Sequence, residues 1–310
     1  MQKFKLFSLT ATLLSTAWMT GCVSTTVPGS VAAERKQLMF YPDSWTQKKS
    51  DKIYNTYEKE SKKTNRYVID PRLNTILDRL VIATKTYQLP ERKIDWSVRL
   101  NLSSTINAMS LPNGKIILNS AIAWNDLTDD ELAFLISHEM SHVLREHARE
   151  RKSVKYASNS ALLLAATGLG QIPAFFTVYG GQLASSVPLS RVMETEADLI
   201  GLDLMARAGY EPKAALSFWD KTEARMKKRN IEPSKLAEFL SSHPDIADRK
   251  VILQANMASA EKQYLLAIQQ QKPAHQHIHE NVATAVTTFD EQDVIDAAAY
   301  SHEGLIASVK

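Results

Sequence analysis

A mainly α-helical fold with one small β-sheet or hairpin, an α+β arrangement, is what this 310-residue sequence predicts. Three observations carry the prediction. Apolar residues recur at helical spacing over several long stretches, Trp96 to Leu102 alternates while two short apolar runs flank the turn signal Pro112-Asn113-Gly114, and His138-Glu139-Met140-Ser141-His142 lies inside the best-specified helical stretch. With 44% apolar residues the chain can bury one large core or two small ones.

Taken in order, residues 1–21 read as a cleaved export signal. Lys3 and Lys5 form its positive end, Leu6 to Met19 its apolar stretch, and small residues precede Cys22. Met19-Thr20-Gly21-Cys22 resembles a bacterial lipobox, in which the cysteine carries the lipid after cleavage. Cys22 is the only cysteine, so no internal disulfide competes for it. Val23 in the next position fits export to the outer membrane, and several acyl chains would hold the protein there firmly. The alternative is an ordinary signal or a short apolar anchor. Removing Lys3 and Lys5 leaves 35 basic against 34 acidic residues. That balance, with only short basic clusters such as Lys227, Lys228 and Arg229, argues against a nucleic-acid partner.

Residues 22–36 are expected to be a lipidated tether, rich in Ser, Thr, Pro and Gly and therefore mobile. The globular part is expected over 37–270. Ser50 to Thr64 and Pro71 to Thr86 read as helices, the second opened by Asp70-Pro71 and burying Leu73, Ile76, Leu77 and Leu80. Trp96 to Leu102 reads as a strand. Ile106 to Leu111 and Lys115 to Leu118 read as a hairpin about Pro112-Asn113-Gly114. The central helix is expected from Asp129 to Arg149, with Thr128 and Glu131 as a capping box and Asp129 and Asp130 matching the positive end of its dipole.

Residues 156–190 carry no charged residue, yet Gly168, Gly170, Gln171 and Pro173 interrupt them. A helical hairpin, buried or mobile at the surface, is the reading; a lid or membrane-dipping element is the functional alternative. Helices follow over Ser190 to Ala208, stopped by Gly209, then from Pro212 to Lys228, Pro233 to Leu240 and Asp245 to Gln270. Residues 271–310 read as a weakly structured tail. Its His275, His277 and His279 are solvated or bind metal adventitiously.

The chemistry concentrates in two helices. His138 and His142, four residues apart, project from one helical face and can grip one ion, and Glu139 can act as general base toward the attacking water. A catalytic zinc commonly has three protein ligands. Glu194 and Asp198, again four apart, offer two carboxylates on one face, with Glu194 as third ligand and Asp198 as acceptor for a ligand histidine's other ring nitrogen. Glu196, about 200° round from Glu194, is assigned to solvating its helix. Arg249 or Arg191 can pair with Asp198 or Glu196. His147, about 180° round from His138, is assigned to the surface. His243 before Pro244 reads, from the residues alone, as a helix cap.

These residues resemble the HtpX, Oma-type and CAAX-prenyl-protease family of zinc metallopeptidases. The resemblance rests on His138-Glu139-Met140-Ser141-His142, on Ser190-Arg191 with Glu194 and Ala197-Asp198, and on Ser242-His243-Pro244-Asp245 with Arg249. It implies a zincin-like (gluzincin) metalloprotease domain, with one zinc ion on His138, His142 and Glu194, and with Glu139, Asp198 and His243 as catalytic residues, His243 being a gate on the metal or a donor to the oxyanion. It also implies an edge strand beside the cleft, with Asn107, Ala108, Met109 and Ser110 binding an extended substrate. The lipobox makes the chain similar to the periplasmic lipoprotein branch of LoiP and BepA type. The expected activity is cleavage of unfolded or misassembled envelope proteins, on a lipid anchor in the outer membrane facing the periplasm, possible partners being the outer-membrane assembly machinery. The alternative is a chaperone-like or assembly lipoprotein whose zinc is closed by His243.

Overall fold

The computed structural model describes residues 22–123, 126–166, 186–228 and 246–287. The export signal, residues 167–185 of the uncharged stretch, the helix expected over Pro233 to Leu240, His243 and His302 lie outside the described residues. A compact unit ends at Tyr264, and residues 265–310 form a second unit. No helix among the described residues is long and apolar enough to cross a membrane.

Short strands β1 (Cys22–Val23) and β2 (Gln37–Leu38) pair antiparallel. Helix α1 (Asp43–Lys63) starts earlier than expected, with Asp43 in its first turn and Lys62 and Lys63 in its last, where each charge suits the helix dipole. After β3 (Tyr67–Val68), helix α2 (Pro71–Thr84) opens as the sequence predicts. Asp70 accepts a hydrogen bond from the Arg72 amide at 2.8 Å, and Leu73, Ile76, Leu77 and Leu80 are buried.

Strands β4 (Ser97–Asn101), β5 (Ala108–Ser110) and β6 (Lys115–Asn119) complete a four-stranded sheet in the order β3-β4-β6-β5. The expected hairpin is present as β5–β6. Its partner on the other side, β4, runs parallel to β6, a pairing that short-range turn signals do not report. Gly114 (φ 86°) makes the turn, and a Cβ there would meet the Ile94 side chain at 2.5 Å. Strand β5 lies at the sheet edge.

After a short α3 (Ser120–Ala123) comes α4 (Asp129–Leu144). Its capping box is formed: Glu131 N–H donates to the Thr128 hydroxyl at 3.2 Å, and Thr128 N–H donates to the Glu131 carboxylate at 2.8 Å. Leu132, Phe134, Ile136 and Met140 are fully buried between α2, the sheet, α6 (Ser186–Arg207) and α7 (Ala214–Lys228). Each such side chain contributes roughly 1.5–3 kcal/mol by burial. The tightest crossing is α4 on α6. A Cβ on Gly201 would come within 3.0 Å of the His138 amide nitrogen, and the Ser137 hydroxyl donates to the Gly201 carbonyl at 2.9 Å.

Three expectations are corrected. The central helix does not continue to Arg149. It ends at Leu144, Glu146 takes a left-handed backbone (φ 49°), and α5 (His147–Ala166) starts afresh. Arg92 braces the break by donating to the carbonyls of Val143 and Leu144 at 2.8 and 2.9 Å. The supposed tether is docked, because its polar residues find partners inside the protein: Thr25, Thr26 and Ser30 are buried, and Thr25 donates to Gln37 at 2.6 Å. Finally, α8 (Ile246–Thr287) runs beyond Gln271, since a helix already nucleated extends cheaply through Ala, Gln and Glu.

Candidate metal centre

Helix α4 carries His138, Glu139 and His142, and α6 carries Glu194 and Asp198. The close crossing at Gly201 brings the two helices together. The Nε2 atoms of His138 and His142 are 3.1 Å apart, and each lies 3.4 Å from a different oxygen of Glu194. Ligand atoms of the three residues all fall within 4.8 Å of one another, so one divalent ion fits among two imidazoles and a carboxylate. The group is buried, with Glu194 at 1% exposure and His138 at 3%.

On the other side of His138, Nδ1 lies 3.0 Å from Asp198. Asp198 is wholly buried and receives Nε and Nη2 of Arg249, both at 2.6 Å. The Arg249 guanidinium stacks 4.3 Å from the Trp219 ring of α7. Of the two arginines the sequence offers, Arg249 makes the pair, and Arg191 is exposed. Burial would raise the Asp198 carboxyl, but Arg249 and His138 outweigh it and hold the carboxyl below its ordinary value. Burial would likewise lower the His138 imidazole, yet Asp198 and Glu194 raise it to about 9. Without metal, a proton therefore occupies the place a cation would take.

Two residues overturn their sequence assignments. His147 is fully buried, with Nδ1 2.8 Å from Nδ1 of His142 and Nε2 3.0 Å from Glu196. Glu196 is 6% exposed and solvates nothing. Arg35 binds both its oxygens at 2.8 and 2.9 Å, and Arg145 reaches it at 3.2 Å. Burial alone would raise the Glu196 carboxyl, but His147 and the arginines bring it down to about 2. Burial pushes the His147 imidazole below its ordinary value. Arg35 also binds Glu150 at 2.5 and 2.8 Å, and Gln37 donates to Glu150 at 2.7 Å and to the Arg145 carbonyl at 2.6 Å.

A signal for Glu196 existed in the sequence: the residues three and four positions away on either side, Val192, Met193, Leu199 and Ile200, are all apolar, which places Glu196 within an apolar face. For His147 there was none, since its position depends on the break at Glu146.

A cleft beside the cluster is lined by Ala108, Met109 and Ser110 of β5 together with Glu139, His142 and Glu194. Met109 pairs with Ile117 across the hairpin, and Asn119 N–H donates to the Asn107 carbonyl at 3.0 Å. By strand alternation, the main-chain groups of Ala108 and Ser110 turn to the open edge. A small apolar recess lies behind, walled by Ile122, Phe134, Phe218 and Trp219 next to Glu139.

A buried imidazole pair and carboxylate on two crossed helices, with a glutamate beside them in a cleft, define a metallopeptidase of zincin-like fold. Residues 69–256 match the model of Peptidase family M48, and the chain belongs to that family. Among its relatives, the mitochondrial metalloendopeptidase OMA1 of Schizosaccharomyces pombe is 34% identical over 159 residues, covering 50% of this chain and 45% of that protein. Metalloendopeptidase OMA1 of Bos taurus is also 34% identical, over 51% of this chain and 31% of its own length. The beta-barrel assembly-enhancing protease of Yersinia pestis is 26% identical over 83% of this chain and 56% of its own length. The chain thus spans about half or less of the OMA1 proteins and little more than half of the Yersinia protein.

Proposed function

We propose that this chain is a zinc-dependent endopeptidase that cleaves unfolded or misassembled proteins of a bacterial cell envelope, held to the outer membrane by a lipid on Cys22. The observation that carries the catalytic part is the convergence of His138, His142 and Glu194 beside Glu139 in a cleft bordered by an open strand edge. In this reading those three residues hold one zinc ion, which when bound polarises the scissile carbonyl and lowers the pKa of water to about 7. Glu139 accepts a proton from the attacking water and delivers it to the amide nitrogen as the C–N bond breaks. Asp198 keeps the His138 ring oriented.

An extended segment adds to β5 through the main-chain groups of Ala108 and Ser110, with Asn107 and Met109 flanking it. Backbone pairing gives affinity with little dependence on sequence, which suits a substrate recognised by being unfolded. The likeness to a protein named for enhancing beta-barrel assembly supports the envelope part and a partner in outer-membrane assembly. The lipobox-like run before Val23 supports the anchor.

The test is digestion of casein or an unfolded outer-membrane protein by the purified chain, with and without a chelator. Glu139→Gln is expected to keep its zinc and lose activity by at least the hundred- to ten-thousandfold, roughly, that general-base catalysis supplies. Turnover by Glu139→Gln at the wild-type rate refutes the role of Glu139.

A further inference from the structure

Histidine ligands of a metal are commonly held from behind by a carboxylate or carbonyl on the second ring nitrogen. His138 has Asp198 for this. His142 has instead another imidazole, and the carboxylate stands one residue further back, in the line His142 Nδ1, His147 Nδ1, His147 Nε2 and Glu196. We propose that His147, oriented by Glu196, is a positioning residue that fixes His142 in the tautomer able to bind the metal through Nε2. The inference rests on the metal-centre reading above.

With a metal held through Nε2 of His142, one placement of protons follows. His142 presents Nε2 to the metal cluster, 3.1 Å from Nε2 of His138, so that nitrogen must offer a lone pair and Nδ1 must carry the hydrogen. With the two Nδ1 atoms 2.8 Å apart, His142 donates and His147 accepts. His147 then carries its hydrogen on Nε2 and donates it to Glu196 at 3.0 Å.

Arg35 and Arg145 already balance Glu196, and Arg35 and Gln37 hold the neighbouring Glu150. Glu196 therefore serves as a fixed acceptor. Arg35 belongs to the segment joining β1 to β2, so the chain leading into β2 closes the back of the metal centre. The break at Glu146 is what admits His147 to this line. On an unbroken helix His147 would stand about 140° round from His142 and face elsewhere.

The experiment measures zinc affinity of the full chain by competition with a chromophoric chelator, together with the thermal midpoint. It also records the His142 tautomer by nitrogen-15 NMR of the zinc-loaded protein. His147→Leu is expected to weaken zinc binding ten- to a hundredfold, roughly the effect seen when such supporting partners are removed. His147→Asn, whose side-chain oxygen can accept from His142, is expected to restore most of that loss. Glu196→Gln, which keeps an acceptor, is expected to cost only a few-fold.

Wild-type zinc affinity in a folded His147→Leu overturns the proposal. So does a wild-type His142 with its hydrogen on Nε2. If His147→Leu does not fold, a His147→Asn no better than His147→Ala overturns it, as a merely structural imidazole would show no such rescue. Failure of the wild-type chain to bind zinc removes the metal-centre reading and this inference together, whereas loss of only the variant effects removes the inference alone.

Discussion

The two halves of the metal cluster hold their histidines by different means. Behind His138 stands Asp198, paired with Arg249, and together with Glu194 on the metal side it raises the imidazole to about 9. Behind His142 the carboxylates Glu196 and Glu150 are matched by Arg35 and Arg145, and the imidazole between, His147, is pushed down by its burial. One ligand is gripped directly by a carboxylate and the other through an intervening imidazole. Charge attracts a cation but attracts a proton equally well. A relay fixes a tautomer without that competition.

Removing Asp198 breaks this asymmetry most severely. Asp198→Ala takes away the support of His138 and leaves Arg249 buried with less to pair, which costs about 3–5 kcal/mol of stability when one partner of a buried pair is lost. Zinc affinity should fall roughly ten- to a hundredfold as well. Denaturant unfolding and chelator competition measure the two effects, and an unchanged value for both would mean that charge does not hold this side.

A smaller change reaches the same side through the backbone. Gly201→Ala places a Cβ 3.0 Å from the His138 amide nitrogen and 3.1 Å from its Cα, so α4 and α6 must move apart. Such overpacking typically costs about 1–3 kcal/mol. The expected signature is a lower thermal midpoint together with weaker zinc binding, and a variant with both at wild-type values would show that the crossing has slack.

The gentlest probe is pH. A proton on metal-free His138 must leave before zinc can enter, so apparent zinc affinity should fall as pH drops below about 9, by about tenfold per unit. The sign follows from the raised value: the competing proton is present below it and absent above. Asp198→Asn removes a main cause of that rise and should flatten the dependence between pH 7 and 9. An equally steep slope in the variant would assign the proton elsewhere.

Much of this was legible in local pattern. The four-residue spacing of His138 and His142, and of Glu194 and Asp198, follows from helical geometry, and their convergence was foreseeable once two helices were recognised. The capping box at Thr128, the proline start of α2 and the hairpin at Gly114 are likewise short-range events, decided by neighbouring residues. The parallel pairing of β4 with β6, by contrast, joins strands whose sequences carry no mutual signal, and only the packing of α2 and α4 against the sheet sets it.

What the sequence determined by itself is therefore the donor set, because residue type and helical period suffice to put ligands on one face. Tertiary structure decided what stands behind those donors. By helical period alone Glu196 and His147 belong on exposed faces, since each lies on the far side of its helix from a ligand. Their burial depends on a helix break at Glu146 and on Arg35 arriving from a segment that looked like free tether. A buried charge is tolerated only where the fold supplies its counter-charge, and no periodicity along one helix records which distant residue that will be.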